Sequence, residues 1–235
     1  MLCKIADLIV EVPDAGGMAP RCRDYLYDGA QAPDIILTPE QYSPKRWPAL
    51  SWEGLCYMES GVNFYGKLLR FHGMMLHASA VAFDGRAYLF SAPSGTGKST
   101  HTKLWQAVFG DAAQVFNDDK PALRHLDGVW YAYGTPWSGK DGINQNKKLP
   151  LGGICYLKRG AENKIRRLTP QEAMKRIVSQ TMRRFALVEN LDLMLGHVDL
   201  LVRNIPVYEL ECLPNEDAAR LSCEIMRSGA EKMGL

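Results

Sequence analysis

The sequence contains no run of about 18 apolar residues, the length a helix needs to span a bilayer. A helical membrane protein is therefore not expected. It also lacks an excess of charge: 28 Lys plus Arg face 26 Asp plus Glu, for a formal net charge of +2. That balance provides no field to draw in nucleic acid or an anionic membrane surface, so neither is an expected partner. The six cysteines, Cys3, Cys22, Cys56, Cys155, Cys212 and Cys223, form no Cys-x-x-Cys pair and have no histidine at zinc-finger spacing. A closed metal site is thereby disfavoured, and reduced, mostly buried thiols are expected. There is no internal repeat, low-complexity tract or block of like charge, so the division of the chain into parts is read from turn chemistry and periodicity. The opening MLCKIADLIVEV interrupts its apolar residues with Lys4, Asp7 and Glu11, a strand-like alternation and not the apolar core of a secretory signal. The expected location is the cytoplasm.

What is present suffices for a folded core. The chain has 235 residues, 46% of them hydrophobic, which fits one domain with an appendage or two small ones. Proline and glycine crowd the first 50 residues, from Pro13 and Gly16 to Pro44 and Pro48, and favour short strands and irregular connections. Between Ser51 and Phe71, Leu55, Tyr57, Met58, Val62, Tyr65, Leu68 and Leu69 recur every three or four residues, the period of a helix. We therefore read residues 1–71 as a small β-rich and helical segment and residues 72–235 as the main domain.

In that domain, Asp84-Gly85 and Asp127-Gly128 each separate two strand-like runs, the signature of tight hairpins. Lys98 to Phe109 is helix-compatible and is closed by Gly110; Ala113 to Phe116 and Gly153 to Leu157 read as strands. Thr169-Pro170-Gln171-Glu172 has the side chains of a capping box. The helix it opens carries Met174, Ile177, Val178, Thr181, Met182 and Phe185 on one face, with Lys175, Arg176, Arg183 and Arg184 turned to solvent. Leu191 to Val202 is expected to be helical, Pro206 to Cys212 a strand, and Asn215 to Arg227 a last helix stopped by Gly229. Alternating strands and helices make this an α/β chain.

One segment stands apart from this ordinary text. Ser91-Ala92-Pro93-Ser94-Gly95-Thr96-Gly97-Lys98-Ser99-Thr100 follows a strand and opens a helix, the context of a phosphate-binding loop, or Walker A motif. Gly95 and Gly97 permit positive φ, so that backbone N–H groups converge on phosphate oxygens at a helix N-terminus. Lys98 supplies a point charge to the β and γ phosphates, and the Ser99 hydroxyl suits Mg²⁺. Ala92 stands where the motif asks for its first glycine. Val115-Phe116-Asn117-Asp118-Asp119 is an apolar run ending in adjacent carboxylates. If Lys98–Phe109 is a crossover helix, this strand lies beside the one feeding the loop, with both carboxyl ends on one edge. Because side chains alternate along a strand, both carboxylates face one site only if the strand ends there. A division of labour follows, one carboxylate toward an acceptor hydroxyl and one toward the metal.

These residues resemble the HPr kinase/phosphorylase and phosphoenolpyruvate carboxykinase group of phosphate-loop proteins, closest to its small serine and peptide kinase relatives. The resemblance rests on His77 in Leu76-His77-Ala78-Ser79, the loop Ser94 to Ser99, and Asp118-Asp119, which begin 20 positions after Lys98. It covers about residues 75–160, roughly a third of the chain. The resemblance implies a mixed, bent sheet flanked by helices, ATP and Mg²⁺ as cofactors, and oligomerisation as a possibility. It makes Asp118 the base that takes the acceptor's proton, Asp119 and Ser99 the metal-side groups, and His77 the residue that orients the carboxylates. Ser94, Gly95, Thr96, Gly97, Lys98, Ser99 and Thr100 would cradle the nucleotide. Gly134-Thr135-Pro136-Trp137-Ser138-Gly139-Lys140 departs from the arginine-glycine signature of HPr kinase/phosphorylase. It reads either as a mobile loop closing over nucleotide or acceptor, or as a tight turn anchored by a partly buried tryptophan. The expected function is ATP-dependent phosphorylation of a hydroxyl, such as serine in a peptide, a protein or a free amino acid. The alternative is a nucleotide-binding regulator with little turnover, in which ATP orders the loop near Trp137.

Overall fold

Ala6 and Asp7 both have positive φ, +52° and +60°, and they turn the amino-terminal alternation back on itself. What reads as one strand is therefore a hairpin of β1 (Leu2–Ile5) and β2 (Leu8–Glu11), paired antiparallel. The protein is described here by a computed structural model covering residues 1–39, 42, 44–181 and 188–234. After β2 come the short helix α1 (Met18–Cys22), β3 (Ile35–Ile36), parallel to β2, and the long helix α2 (Trp52–Leu68). Ser51 caps α2, its hydroxyl accepting from Gly54 N–H at 3.2 Å. Phe64 and Tyr65 of α2 join Val10, Cys22 and Ile35 in an apolar cluster. The same cluster takes in Ala122, Tyr133 and Trp137 from farther along the chain.

The main sheet has nine strands among the described residues. They are β4 (Gly73–Met75), β5 (Ala78–Phe83), β6 (Arg86–Ser91), β7 (Gln114–Asn117), β8 (Ala122–Leu126), β9 (Val129–Tyr133), β10 (Lys148–Arg159), β11 (Lys164–Arg167) and β12 (Val207–Cys212). Both Asp-Gly pairs make the expected hairpins, β5–β6 and β8–β9. Asp84 and Asp127 have φ +51° and +50°, and Gly85 and Gly128 +72° and +82°, positive at both central positions as the type I′ turn demands.

Strand β10 joins two parts of a curled sheet. Its first residues pair antiparallel with β9; from Leu151 it pairs parallel with β6, across a register shift between Leu151 and Gly153, and from Ile154 parallel with β12. Gly152 is the extra residue, and a Cβ there would lie 2.9 Å from the Tyr88 ring, so the bulge needs a residue without a side chain. The result is the mixed, bent sheet with flanking helices and a small amino-terminal β segment that the sequence reading expects. On one face, α3 (Lys98–Phe109) and α6 (Glu216–Lys232) pack over Phe90, Cys155 and Leu210. On the other, α4 (Pro170–Gln180) and α5 (Val188–Asn204) cover Leu89, Ile154 and Val207.

Several expectations need correction. Strand β7 does not lie beside β6: β5 sits between them, antiparallel to both. Two antiparallel pairings leave β6 and β7 parallel, so their carboxyl ends still share an edge. Helix α6 does not stop at Gly229 but runs to Lys232. A Cβ at Gly229 would overlap the Tyr208 hydroxyl, so this glycine serves close helix–strand packing and not termination. The capping box of α4 forms as expected, with Thr169 and Glu172 bonded reciprocally. Arg176, however, is not simply solvated; it donates to Glu209 Oε2 at 2.6 Å and lies over the Tyr156 ring. Met182, Arg183, Arg184 and Phe185 lie outside the described residues. All six cysteines are free, and all but Cys212 are buried. Among the described residues no helix is long and apolar enough to cross a membrane.

Candidate functional site

The topology gathers the chemistry on one edge. The carboxyl ends of β6, β7, β10 and β12 and the start of β5 all meet there, because β6, β7, β10 and β12 are mutually parallel and β5 runs against them. The phosphate-loop segment leaves β6 and turns on Gly95 (φ +77°) and Gly97 (φ +127°) into the first turn of α3. Ala92 is fully buried and stays out of the positive-φ region, so this position does not require the motif's glycine. Lys98 Nζ donates to Ala92 O at 3.0 Å. Burial lowers the Lys98 pKa and the Asp119 charge opposes that shift, leaving an ammonium folded back on the loop beside the cavity.

The paired carboxylates reach the same cavity by a device at the end of β7. Asn117 Oδ1 accepts from the N–H groups of Asp119 (3.2 Å) and Lys120 (2.8 Å), an Asx turn that ends the strand. The period-2 alternation is thereby broken, and Asp118 and Asp119 both line a cavity of about 590 Å³ with His77, Ser94, Lys98 and Ser99. Asn117 Nδ2 also donates to Thr135 O (3.1 Å) and Trp137 O (3.3 Å), tying the strand end to the following loop.

The two carboxyls are pushed in opposite directions. Burial raises the Asp118 pKa, against the N–H bonds from Gly139 (2.6 Å) and Asp141 (3.2 Å), and the neighbouring Asp119 adds to the rise. Burial also acts upward on Asp119. There the His77 hydrogen bond and the Lys120 ammonium outweigh it and hold the group well below the usual carboxylate range. His77 Nε2 lies 3.0 Å from Asp119 Oδ1, and Lys120 Nζ 2.5 Å from Asp119 Oδ2. The other His77 nitrogen, Nδ1, lies 3.1 Å from Gln180 Oε1, so the ring is fixed from both sides. His77 thus holds Asp119, and its own backbone N–H donates to Gln180 O at the end of α4.

The profile of the SynChlorMet cassette protein ScmC family matches residues 53–214, more than two thirds of the chain. The chain belongs to that family. The matched span includes all of α2 beyond Trp52, the phosphate-loop segment and the Asp118-Asp119 pair. Among solved structures, an Hpr(Ser) kinase/phosphatase from Coxiella burnetii is similar over 68% of this chain and 92% of that one, with 12% sequence identity and a TM-score of 0.41. No curated protein matches.

In this ScmC-family chain, Gly134 to Lys140 takes the anchored form of the two weighed. Trp137 is fully buried and stacks on Phe64, with ring centroids 4.8 Å apart and planes at 19°. Its indole N–H donates to Ser60 Oγ at 3.1 Å. Only the end of the stretch, Gly139 and Lys140, reaches the cavity, together with Asp141. Trp137 is thus a fixed post between α2 and the carboxylates, not part of a free lid.

The sequence reading missed Asn117, Lys120, Tyr57 and Arg159. Lys120 Nζ donates to the Tyr57 hydroxyl at 3.2 Å, and that hydroxyl donates to Ser138 O, so α2 reaches the rim of the site. Arg159, at the end of β10, donates to Gly95 O (2.6 Å) and Thr96 O (3.4 Å) and braces the loop from its other flank. Adjacency to the carboxylate pair could have singled out Asn117 and Lys120; nothing in the local sequence marks Tyr57 or Arg159.

Proposed function

We propose that this protein is an ATP-dependent kinase that transfers the γ-phosphoryl group to a hydroxyl, with a serine side chain as the preferred acceptor class. The observation that carries the reading is the shared cavity, where a phosphate-loop lysine and two adjacent carboxyls of opposite character meet. A raised proton affinity suits Asp118 to take the acceptor's proton while the oxygen forms its bond to phosphorus and the β–γ bridging bond breaks, leaving ADP. Asp119, held ionised by His77 and Lys120, suits a permanent negative charge. The residues fit a hard cation: the Ser99 hydroxyl and the free lone pairs of Asp119 would hold Mg²⁺, which usually keeps few protein ligands. When bound, that ion would neutralise charge on the phosphates. Lys98 would move from the carbonyl of Ala92 onto phosphate oxygens, a short reorientation of a flexible side chain.

The reading is tested by incubating the protein and a cell lysate with ATP labelled in the γ-phosphate and locating the label by mass spectrometry. The expected result is a phosphorylated hydroxyl that is absent when Lys98 is replaced by alanine. Label found solely as inorganic phosphate would make the protein a hydrolase and overturn the proposal.

A further inference from the structure

The phosphate-loop segment has two flanks, and the proposed reaction uses only one. On the opposite side, over the carboxyl ends of β10 and β12, lies a second cavity of about 410 Å³, a size typical of small-ligand sites. Gly95, Gly97 and Thr100 line both cavities, so the two meet across the loop. The second one is walled by Leu104, Leu157, Cys212, Leu213 and Pro214. Leu213 is 39% exposed, an apolar side chain left at the mouth of a cavity and not folded into the core.

The polar groups around this mouth are largely engaged with one another. Leu213 N–H donates to Asn163 Oδ1 at 2.9 Å, and Gly160 N–H to Cys212 O at 3.2 Å. Lys158 Nζ pairs with Glu209, Arg159 holds Gly95 O and Thr96 O, and His101 Nε2 lies 3.1 Å from Ser222 Oγ. What the cavity offers a ligand is apolar surface beside a phosphate cradle.

Resting on the phosphate-loop reading above, we infer that this second cavity receives the base of the bound nucleotide, holding it by apolar contact. A triphosphate whose γ end lies at Lys98 and Asp118 must leave the loop on the other side. The flat π faces of a nucleobase match the leucine and proline walls there. With walls that are mainly apolar and with the cations Lys158 and Arg159 already engaged, the site should take adenine and guanine alike, because an apolar pocket separates isosteric ligands only weakly.

The test is titration calorimetry of the full chain with Mg²⁺ and either ATP, GTP or inorganic tripolyphosphate. The inference expects ATP and GTP within about tenfold of each other and both at least about tenfold tighter than tripolyphosphate. The neutral substitutions Leu213→Asn and Leu104→Gln should each erase most of that advantage while leaving tripolyphosphate affinity unchanged. Leu213 is the safer site because it is partly exposed; Leu104 supplies an independent second. Equal binding of ATP and tripolyphosphate by the unaltered protein, or an unaltered ratio in both variants, would overturn the inference while sparing the phosphate loop. Failure of tripolyphosphate and ATP alike to bind would remove the phosphate-loop reading and this one with it.

Discussion

The two flanks of the loop share glycines and differ in almost everything else. On the β5–β7 side, Lys98, Asp118, Asp119 and His77 converge on one space, and burial and close partners shift the proton affinities of the lysine and the two carboxyls. On the β10–β12 side, apolar walls surround the opening and the nearby charges are paired. On the proposed function, the contrast would let one loop separate chemistry from recognition. Charge that would be costly on the apolar flank is kept on the flank where phosphate and metal would compensate it.

That contrast can be broken from the largest effect downward. Lys98→Ala should strike both flanks, since it removes the charge that anchors the phosphates; transfer should fall about 10³-fold and ATP affinity should drop with it. Asp118→Asn should strike one flank only. Transfer should fall about 10²-fold with ATP affinity unchanged, proton removal being a late and lesser part of phosphoryl transfer. In the unaltered protein, the proposed transfer should slow on the acid side at a pH above the ordinary carboxylate range, because as the base Asp118 would have to be ionised and its pKa is raised. A rate flat down to about pH 4, the usual aspartate value, would remove Asp118 as the base.

The carboxylate pair itself provides a smaller test, read as stability. Asp119 has a folded pKa below its unfolded value. Its contribution is therefore fully present above the ordinary carboxylate range and is lost as pH falls through the depressed value. Asp118, with a raised folded pKa, carries the opposite sign at neutral pH. Thermal melts should find Asp119→Asn more destabilising than Asp118→Asn at pH 7, with the gap narrowing below about pH 4. The smallest effect should come from Gly61→Ala on α2. The new Cβ would sit 2.9 Å from Trp137 Cδ1, and overpacking of this kind costs about 1–3 kcal/mol. Because Trp137 anchors the stretch whose Gly139 N–H holds Asp118, the melting temperature should fall by several degrees and transfer should weaken, with the preference for ATP over tripolyphosphate intact.

Much of the fold was legible where the signal is local. Asp84-Gly85 and Asp127-Gly128 announce their hairpins because few residues accept positive φ, and Thr169 to Glu172 announces a helix start because its partners are three residues apart. Gly229 misled because a glycine that ends a helix and one that admits a neighbouring ring look alike in sequence; only the Tyr208 hydroxyl at its α-carbon tells them apart. Ala6-Asp7 concealed a turn because neither residue is a glycine. Inserting β5 between β6 and β7 was invisible for a related reason, since hairpin pairing and crossover pairing compete for the same strand edge.

The site divides in the same way. The sequence alone marked the candidate phosphate-loop segment, the adjacent carboxylates and the histidine that precedes β5, because each is a short pattern whose chemistry depends on residue type and spacing. Tertiary structure decided which carboxyl is raised and which depressed, since that depends on Gly139, Asp141, His77 and Lys120, three of them distant along the chain from the carboxylate they touch. It also decided that Trp137 is a post and that an apolar cavity borders the loop. Burial and partner distance set proton affinity and pocket character, and neither exists until strands far apart in sequence come together on one edge.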